Sequence, residues 1–178
     1  GGVWINRDVV VPEDPDTSVW LRLNDHDGRN YDYGQQLDNR QELAKYLRGL
    51  STRARFLRFA QDFRQEEGSD FAFEWVTKDV VEYAVLTRRH AMEFISCKDY
   101  LDNWTSEMHE TFCFWSYHDY VAACEAAGFR VVSGSHAYTN NWLVHHRYRG
   151  KADLYEETEA GLVAVEYPDT HMLLVVRK

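Results

Sequence analysis

The segment that most constrains the fold is residues 116–132, SYHDYVAACEAAGFRVV, because it specifies a helix, both of its ends and the strand that follows. Ser116 is a preferred N-cap residue, and Asp119 three positions later completes an acidic form of the capping box. Gly128 stands where a left-handed residue ends a helix. Val131 and Val132 then favour a strand. The segment predicts a helix from about residue 117 that packs on a sheet and leads into a strand near 130–137.

Composition limits the class of protein. The 178 residues are enough for one domain with a sizeable core. A net charge of −9 argues against a general nucleic-acid surface, because phosphate binding needs a basic footprint. The sequence has no apolar run long enough to cross a membrane and no signal-like start, so we expect no membrane contact and a cytoplasmic location. Cys97, Cys113 and Cys124 match neither a zinc pattern nor a disulfide framework and are expected to be reduced thiols.

Three segments carry a family resemblance. Gly1 and Gly2 lead into a hydrophobic strand over 3–10, which resembles the fifth strand of class I S-adenosylmethionine-dependent methyltransferases. Residues 116–132 are similar to the last helix and sixth strand of that family, and 172–178 resemble its seventh strand, which inserts antiparallel between the fifth and sixth. The resemblance implies an α/β fold with a partial Rossmann-like sheet made of the last three strands, near 3–10, 130–137 and 171–177.

The chain also departs from the family. It has no Gly-rich loop and no acidic residue placed to bind a ribose, so no cofactor-binding residue is predicted. The resemblance therefore implies the C-terminal half of an enzyme whose partner is the missing N-terminal, cofactor-binding half. S-adenosylmethionine would bind the full-length enzyme and not this chain alone.

The interval 11–115 is longer than the family usually has at this place. Within a single domain over 1–178, we expect it to form a predominantly helical insertion, a lid over the substrate side, so that the isolated chain is mixed α+β. Helices are predicted from Asp38 to about residue 50, over 51–63, and from Thr77 to about residue 96. Arginines in the second of these helices, including Arg58, are expected on its solvent side.

Polar and aromatic residues alternate over 98–115, which is typical of a small-molecule pocket. His109 is a candidate general base with Glu107 as its carboxylate partner, and a structural histidine is the alternative. The resemblance places Asp8 near the reacting centre. We expect Asp8, Glu107, His109 and Tyr138 to converge on one cleft.

The remaining candidates are contacts to the substrate. They are Arg7, Asn103, Glu110, Tyr138 and Asn140. No metal site is predicted, because Glu107, His109 and Glu110 lack the i, i+4 histidine spacing of helical zinc sites.

The function that these observations favour is recognition of a small-molecule acceptor within a methyltransferase. The alternative is a non-catalytic binding or assembly module on the same scaffold. The sequence leaves the acceptor and the oligomeric state open, and a homo-oligomer is compatible with it.

Overall fold

The computed structural model describes residues 2–64, 68–111 and 114–178, which fold into two antiparallel sheets with helices packed on them. The strands are β1 (Val3–Val9), β2 (Ser18–Leu23), β3 (Glu74–Lys78), β4 (Val81–Thr87), β5 (Arg130–Val131), β6 (His136–Tyr138), β7 (Ala152–Thr158), β8 (Gly161–Ala164) and β9 (His171–Arg177). The helices are α1 (Arg40–Arg48), α2 (Thr52–Asp62), α3 (Arg88–Cys97), α4 (Trp104–Glu107), α5 (Tyr117–Ala126) and α6 (Asn141–Leu143). A 3₁₀ turn (Leu101–Asn103) leads into α4, and a π-helical turn (Val144–Tyr148) follows α6. The predicted mixed α/β character is confirmed.

The larger sheet has the order β3-β4-β2-β7-β8. Leu21 in β2 lies opposite Ala84 on one side and Leu154 on the other, and all three are buried. Because side chains alternate along a strand, one face of the sheet is apolar and packs against helices such as α3.

Aromatic rings from α2 and α3 fill the main core. Phe56 is fully buried, and its ring centroid lies 4.8 Å from that of Phe73 and 5.0 Å from that of Phe94, both edge-to-face. Phe59 stacks on Phe63 at 4.7 Å. Such rings bury large apolar areas, so this cluster contributes much of the stability of the larger sheet and its helices.

The smaller sheet is organised around β9. β1 pairs with β9 antiparallel from Val3 opposite Arg177 to Val9 opposite His171, and β5 and β6 pair antiparallel with the other edge of β9. The predicted antiparallel pairing of residues 3–10 with 172–177 is confirmed. β9 therefore lies between β1 and β5.

Helix α5 covers one face of the smaller sheet. Its capping box is formed as predicted, with the Ser116 hydroxyl accepting from the Asp119 N–H and the Asp119 side chain accepting from the Ser116 N–H. Gly128 has φ +80°, the left-handed conformation expected at this helix end. Side chains of α5 pack on a second, small core that includes Met172, Leu174 and Val176.

The outer edge of β1 has no strand partner among the described residues. Val3 and Ile5 are 63% and 65% exposed, and Trp4 is 44% exposed. An apolar, unpaired edge is a ready template for another strand.

The predicted helix over 77–96 is wrong in its first half. Residues 74–87 form a hairpin in which Asp79 and Val80 make a two-residue turn with φ of +50° and +62°. Helix α3 starts after Thr87, whose hydroxyl accepts from the His90 N–H. Residues 81–87 include β-branched side chains and form a strand because they pair with β2 and β3. Sequence periodicity alone does not reveal these pairing partners.

The segment 11–115, expected to be predominantly helical, contains α1 to α4 and three strands as well, and its role as a lid stays a prediction. It contributes β2, β3 and β4 to the larger sheet, whose remaining strands come from residues 152–164. The predicted strand over 130–137 is interrupted by a turn at Gly134, which has φ +96°. Residues 141–148 are helical.

Cys97 is buried, and Cys124 is half-buried as a free thiol. Cys113 lies outside the described residues. In the described ranges, no helix combines the length and apolar character that crossing a bilayer would require.

Candidate functional site

The candidate site is a cavity of about 490 Å³ between the loop before α1, the C-terminal end of α2, and α4. A cavity of this size suits a small organic ligand. Its walls are formed by Gln36, Leu37, Asp38, Leu43, Arg58, Gln61, Asp62, Trp104, Thr105, Met108 and His109.

Local sequence places these groups. Asn39 caps α1 by accepting from the N–H groups of Gln41 and Glu42, which fixes the loop of residues 36–38 beside the helix. Arg58 and Asp62 are four residues apart on α2, so they share one side of that helix.

Arg58 and Asp62 form the polar centre of the cavity. The Asp62 Oδ2 atom accepts from Arg58 Nε at 2.6 Å and from Trp104 Nε1 at 2.8 Å. Arg58 Nη1 lies 3.4 Å from Asp32 Oδ2 and donates to the Gln35 carbonyl at 3.1 Å. Asp32 accepts in addition from the Tyr46 hydroxyl. The network ties α1, α2, α4 and the loop between β2 and α1 into one rigid wall.

The expectation that Arg58 lies on the solvent side of its helix is wrong. Its side chain is 7% exposed, as is that of Asp32. Burial alone would lower the pKa of Arg58, but the carboxylates of Asp62 and Asp32 outweigh it and raise that pKa, so the guanidinium stays charged. The i, i+4 spacing of Arg58 and Asp62 indicates that the two side chains can pair, but it does not show that the pair is buried.

Several polar atoms of the cavity remain available to a ligand. Among the described residues, nothing donates to Asp62 Oδ1, nothing accepts from Arg58 Nη2, and the carboxylate of Asp38 has neither a hydrogen-bond nor an ion-pair partner.

A second chamber of about 350 Å³ adjoins the first and shares Leu37, Asp38, Leu43, Thr105 and His109 with it. Arg40 closes this chamber by donating to the Asp102 carbonyl and to the Asn103 side-chain oxygen. The two chambers therefore form one groove along residues 36–43 and 102–109.

Two of the predicted site residues line this groove. His109 is exposed and lines both chambers, and Asn103 lines the second. Glu107 is half-buried on α4 and lines neither; its Oε2 atom is buried and has no hydrogen-bond partner among the described residues. Burial, and then the neighbouring charge of Glu110, raise the pKa of Glu107. Glu110 itself is exposed.

The other predicted residues lie on the smaller sheet. Arg7 Nε donates to the Tyr138 hydroxyl at 3.2 Å, so these two meet as neighbours. Asp8 lies opposite Met172, whereas Tyr138 lies opposite the adjacent His171. Successive residues of β9 face opposite sides of the sheet, so Asp8 and Tyr138 do too.

The predicted convergence of Asp8, Glu107, His109 and Tyr138 on one cleft is therefore wrong. The pleat of the smaller sheet separates Asp8 from Tyr138, and neither lines the groove that contains His109. The chemical roles assigned to these residues stay predictions.

Asn140 has a structural task in the fold. Its side-chain oxygen accepts from the N–H groups of Trp142 and Leu143 at 3.2 and 3.3 Å and so caps α6.

Within the described ranges, no group of three His, Cys, Asp or Glu side chains is arranged to hold a metal ion. Comparisons with protein-family models, with curated proteins and with solved structures find no match.

Proposed function

We propose that this chain is the acceptor-recognition region of an S-adenosylmethionine-dependent methyltransferase that acts on a small molecule. The observation that carries the proposal is the order of the smaller sheet. β9 is antiparallel to both β1 and β5, so those two strands run parallel to each other with β9 between them. The family resemblance implies this order and these directions for its fifth, seventh and sixth strands, and thereby supports a partial Rossmann-like sheet.

The outer edge of β1 supports the proposal independently of sequence similarity. Val3, Trp4 and Ile5 are exposed along that edge. Proteins usually cover or charge such an edge. In the proposed enzyme, a strand of the cofactor-binding half would pair there and extend the sheet.

On this proposal the chain itself carries no site for S-adenosylmethionine, which would supply the methyl group in the complete enzyme. Glycines with positive φ occur at isolated positions in the described chain, and none of them opens a helix. Close approach of backbone to a nucleotide-like cofactor normally needs such a turn. We therefore assign this chain the tasks of binding and orienting the acceptor.

The groove between α1 and α4 is where we place the acceptor. Holding a nucleophile in a fixed orientation is itself a large catalytic contribution. His109 lines both chambers and is the predicted base that reaches a ligand held there. Asp8 and Glu107 do not line the groove, so a direct role for either requires the additional half of the enzyme.

Titration calorimetry with S-adenosylmethionine tests the proposal. We expect no binding heat with this chain alone. A longer protein from the same reading frame that includes a Gly-rich loop should bind the cofactor and transfer a labelled methyl group. Micromolar binding to this chain alone, or a longer protein that binds no cofactor, would contradict the proposal.

A second candidate is a non-catalytic binding module. It is favoured by the separation of the groove, which belongs to the larger sheet and its helices, from Asp8 and Tyr138 on the smaller sheet. A longer protein that binds a groove ligand without transferring a methyl group would support this alternative.

A further inference from the structure

We propose that the groove of residues 36–43, 58–62 and 102–109 binds a small organic cation, with its ammonium group held between Asp38 and Asp62. Every residue that lines this groove belongs to the described chain. Only the identification of this cation as the methyl acceptor rests on the proposed function.

The charges around the groove favour a positive ligand. Arg58 is the guanidinium in the first chamber, and it is already paired with two carboxylates, Asp62 at 2.6 Å and Asp32 at 3.4 Å. Asp38 adds a carboxylate with no ion-pair partner among the described residues. In the second chamber Arg40 and Asp102 carry opposite charges. The carboxylates that line the groove (Asp38, Asp62 and Asp102) therefore outnumber its guanidinium groups (Arg40 and Arg58). The excess negative charge attracts a cation and repels an anion.

The geometry of the polar centre also favours a ligand that carries hydrogen-bond donors. Asp62 Oδ2 is occupied by Arg58 Nε and Trp104 Nε1, which fixes the carboxylate and leaves Oδ1 as an acceptor without a described donor. An ammonium group offers three donors and can use Oδ1 of Asp62 and the Asp38 carboxylate together.

The apolar walls of the groove determine which kind of ligand body fits beside the ammonium group. Leu37, Leu43, Met108 and Trp104 line the same cavity as these carboxylates. A ligand with an ammonium group on a short aryl or alkyl body would bury its apolar part there and keep its charge at the acidic end. A strongly hydrated inorganic ion would leave these walls unused.

Three small ligands of similar shape but different charge separate the contribution of charge to binding from that of apolar burial. We would titrate the chain at pH 7.5 with phenethylamine, 2-phenylethanol and 3-phenylpropanoate and follow the backbone amides by NMR. Phenethylamine is expected to shift amides of the segments 36–43, 58–62 and 104–109. The alcohol should bind more weakly and the carboxylate weakest. Equal binding of the three probes, or shifts confined to other segments, would overturn the proposal.

A charge-removing pair of variants tests the assigned group. Asp38→Asn should weaken phenethylamine binding about fivefold, the strength expected of one partly exposed ion pair, and should leave binding of the alcohol unchanged. Glu159→Gln removes the same charge in the exposed turn between β7 and β8 and should have no effect. Asp38 has no described partner and is exposed, so its replacement leaves the fold intact, which circular dichroism verifies. Equal affinities of the two variants would refute the assignment of Asp38.

These experiments separate the two proposals. Loss of the amine preference would reject the ligand class while leaving the strand order of the smaller sheet as support for a methyltransferase. Amine binding without methyl transfer in the longer, cofactor-binding protein would reject the methyltransferase and retain the cation site.

Discussion

At the scale of single residues, Arg58 determines how the polar centre of the groove is held. Replacing it by Met would leave the carboxylates of Asp62 and Asp32 without their guanidinium partner in a mostly buried setting. Removing one partner of a buried ion pair leaves the other charge buried and lowers the unfolding free energy by about 3 kcal/mol. We expect Arg58→Met to lose that amount in urea denaturation.

The matched control for this prediction is Arg130→Met. Arg130 is exposed on β5 and has no ion pair within the described residues, so its replacement should change stability by less than about 0.5 kcal/mol. A loss below about 1 kcal/mol for Arg58→Met would mean that the network does not stabilise the fold.

The burial of Arg58 could not be read from the sequence because its partners are distant along the chain. Asp32 is 26 positions away, and Trp104, which shares Asp62, is 42 positions from that carboxylate. Neighbouring acidic and basic residues in helix α2 give the pattern of a solvated surface, and only tertiary contacts distinguish the buried arginine from the exposed ones. The i, i+4 spacing to Asp62 was the local part of the signal.

At the scale of elements, the turn between β3 and β4 stores backbone strain. Val80 is β-branched and has the left-handed φ of +62°. Its side chain is 98% exposed, so packing contacts do not compensate for this conformation. That conformation costs a non-glycine residue about 1–2 kcal/mol, and an Asp-Gly pair is favoured in this kind of two-residue turn. Val80→Gly should therefore raise the unfolding free energy by about 1 kcal/mol.

Chemical denaturation of the variant and of Val163→Gly measures this effect. Val163 is an exposed residue within strand β8, where glycine loses strand propensity without relieving any strain, so this substitution should destabilise. Destabilisation by both substitutions would show that the turn is not strained.

Elements were predictable where the information is local. The capping box at Ser116 and Gly128 after α5 lie within a few residues of the ends they define, and the sequence predicts both. The strand β4 is different, because its identity depends on pairing with β2, more than sixty residues earlier in the chain. The hydrophobic pattern of residues 81–96 alone fits a helix almost as well.

At the scale of the whole molecule, the chain has two cores of unequal size. The smaller one contains Val10, Met172, Leu174 and Val176 as fully buried side chains, and α5 above it has no buried residue. Regions with few buried apolar contacts open at lower free energy. We expect amides of α5 and β9 to exchange with solvent through openings at least about 2 kcal/mol less costly than those of β2 and β4.

Native-state hydrogen exchange at increasing denaturant measures these openings, and helix α2 serves as an internal reference for the main core. A single opening free energy shared by both sheets would show one cooperative unit. The antiparallel pairing of β1 with β9 was predicted from the sequence. The larger sheet was not predicted, because its centre joins residues such as Leu21 and Leu154 that are far apart along the chain.

The position of Trp104 gives the groove an optical property. Trp104 is 2% exposed and lines the cavity, while Trp4, Trp115 and Trp142 are between 41% and 57% exposed. A buried indole fluoresces at shorter wavelength than a hydrated one, so Trp104 emits at the blue side of the band, together with the half-buried Trp20 and Trp75. A ligand that enters the cavity changes the surroundings of this indole directly, because Trp104 lines the cavity. The protein thus carries an intrinsic fluorophore whose colour and intensity follow the occupancy of the groove without any added label.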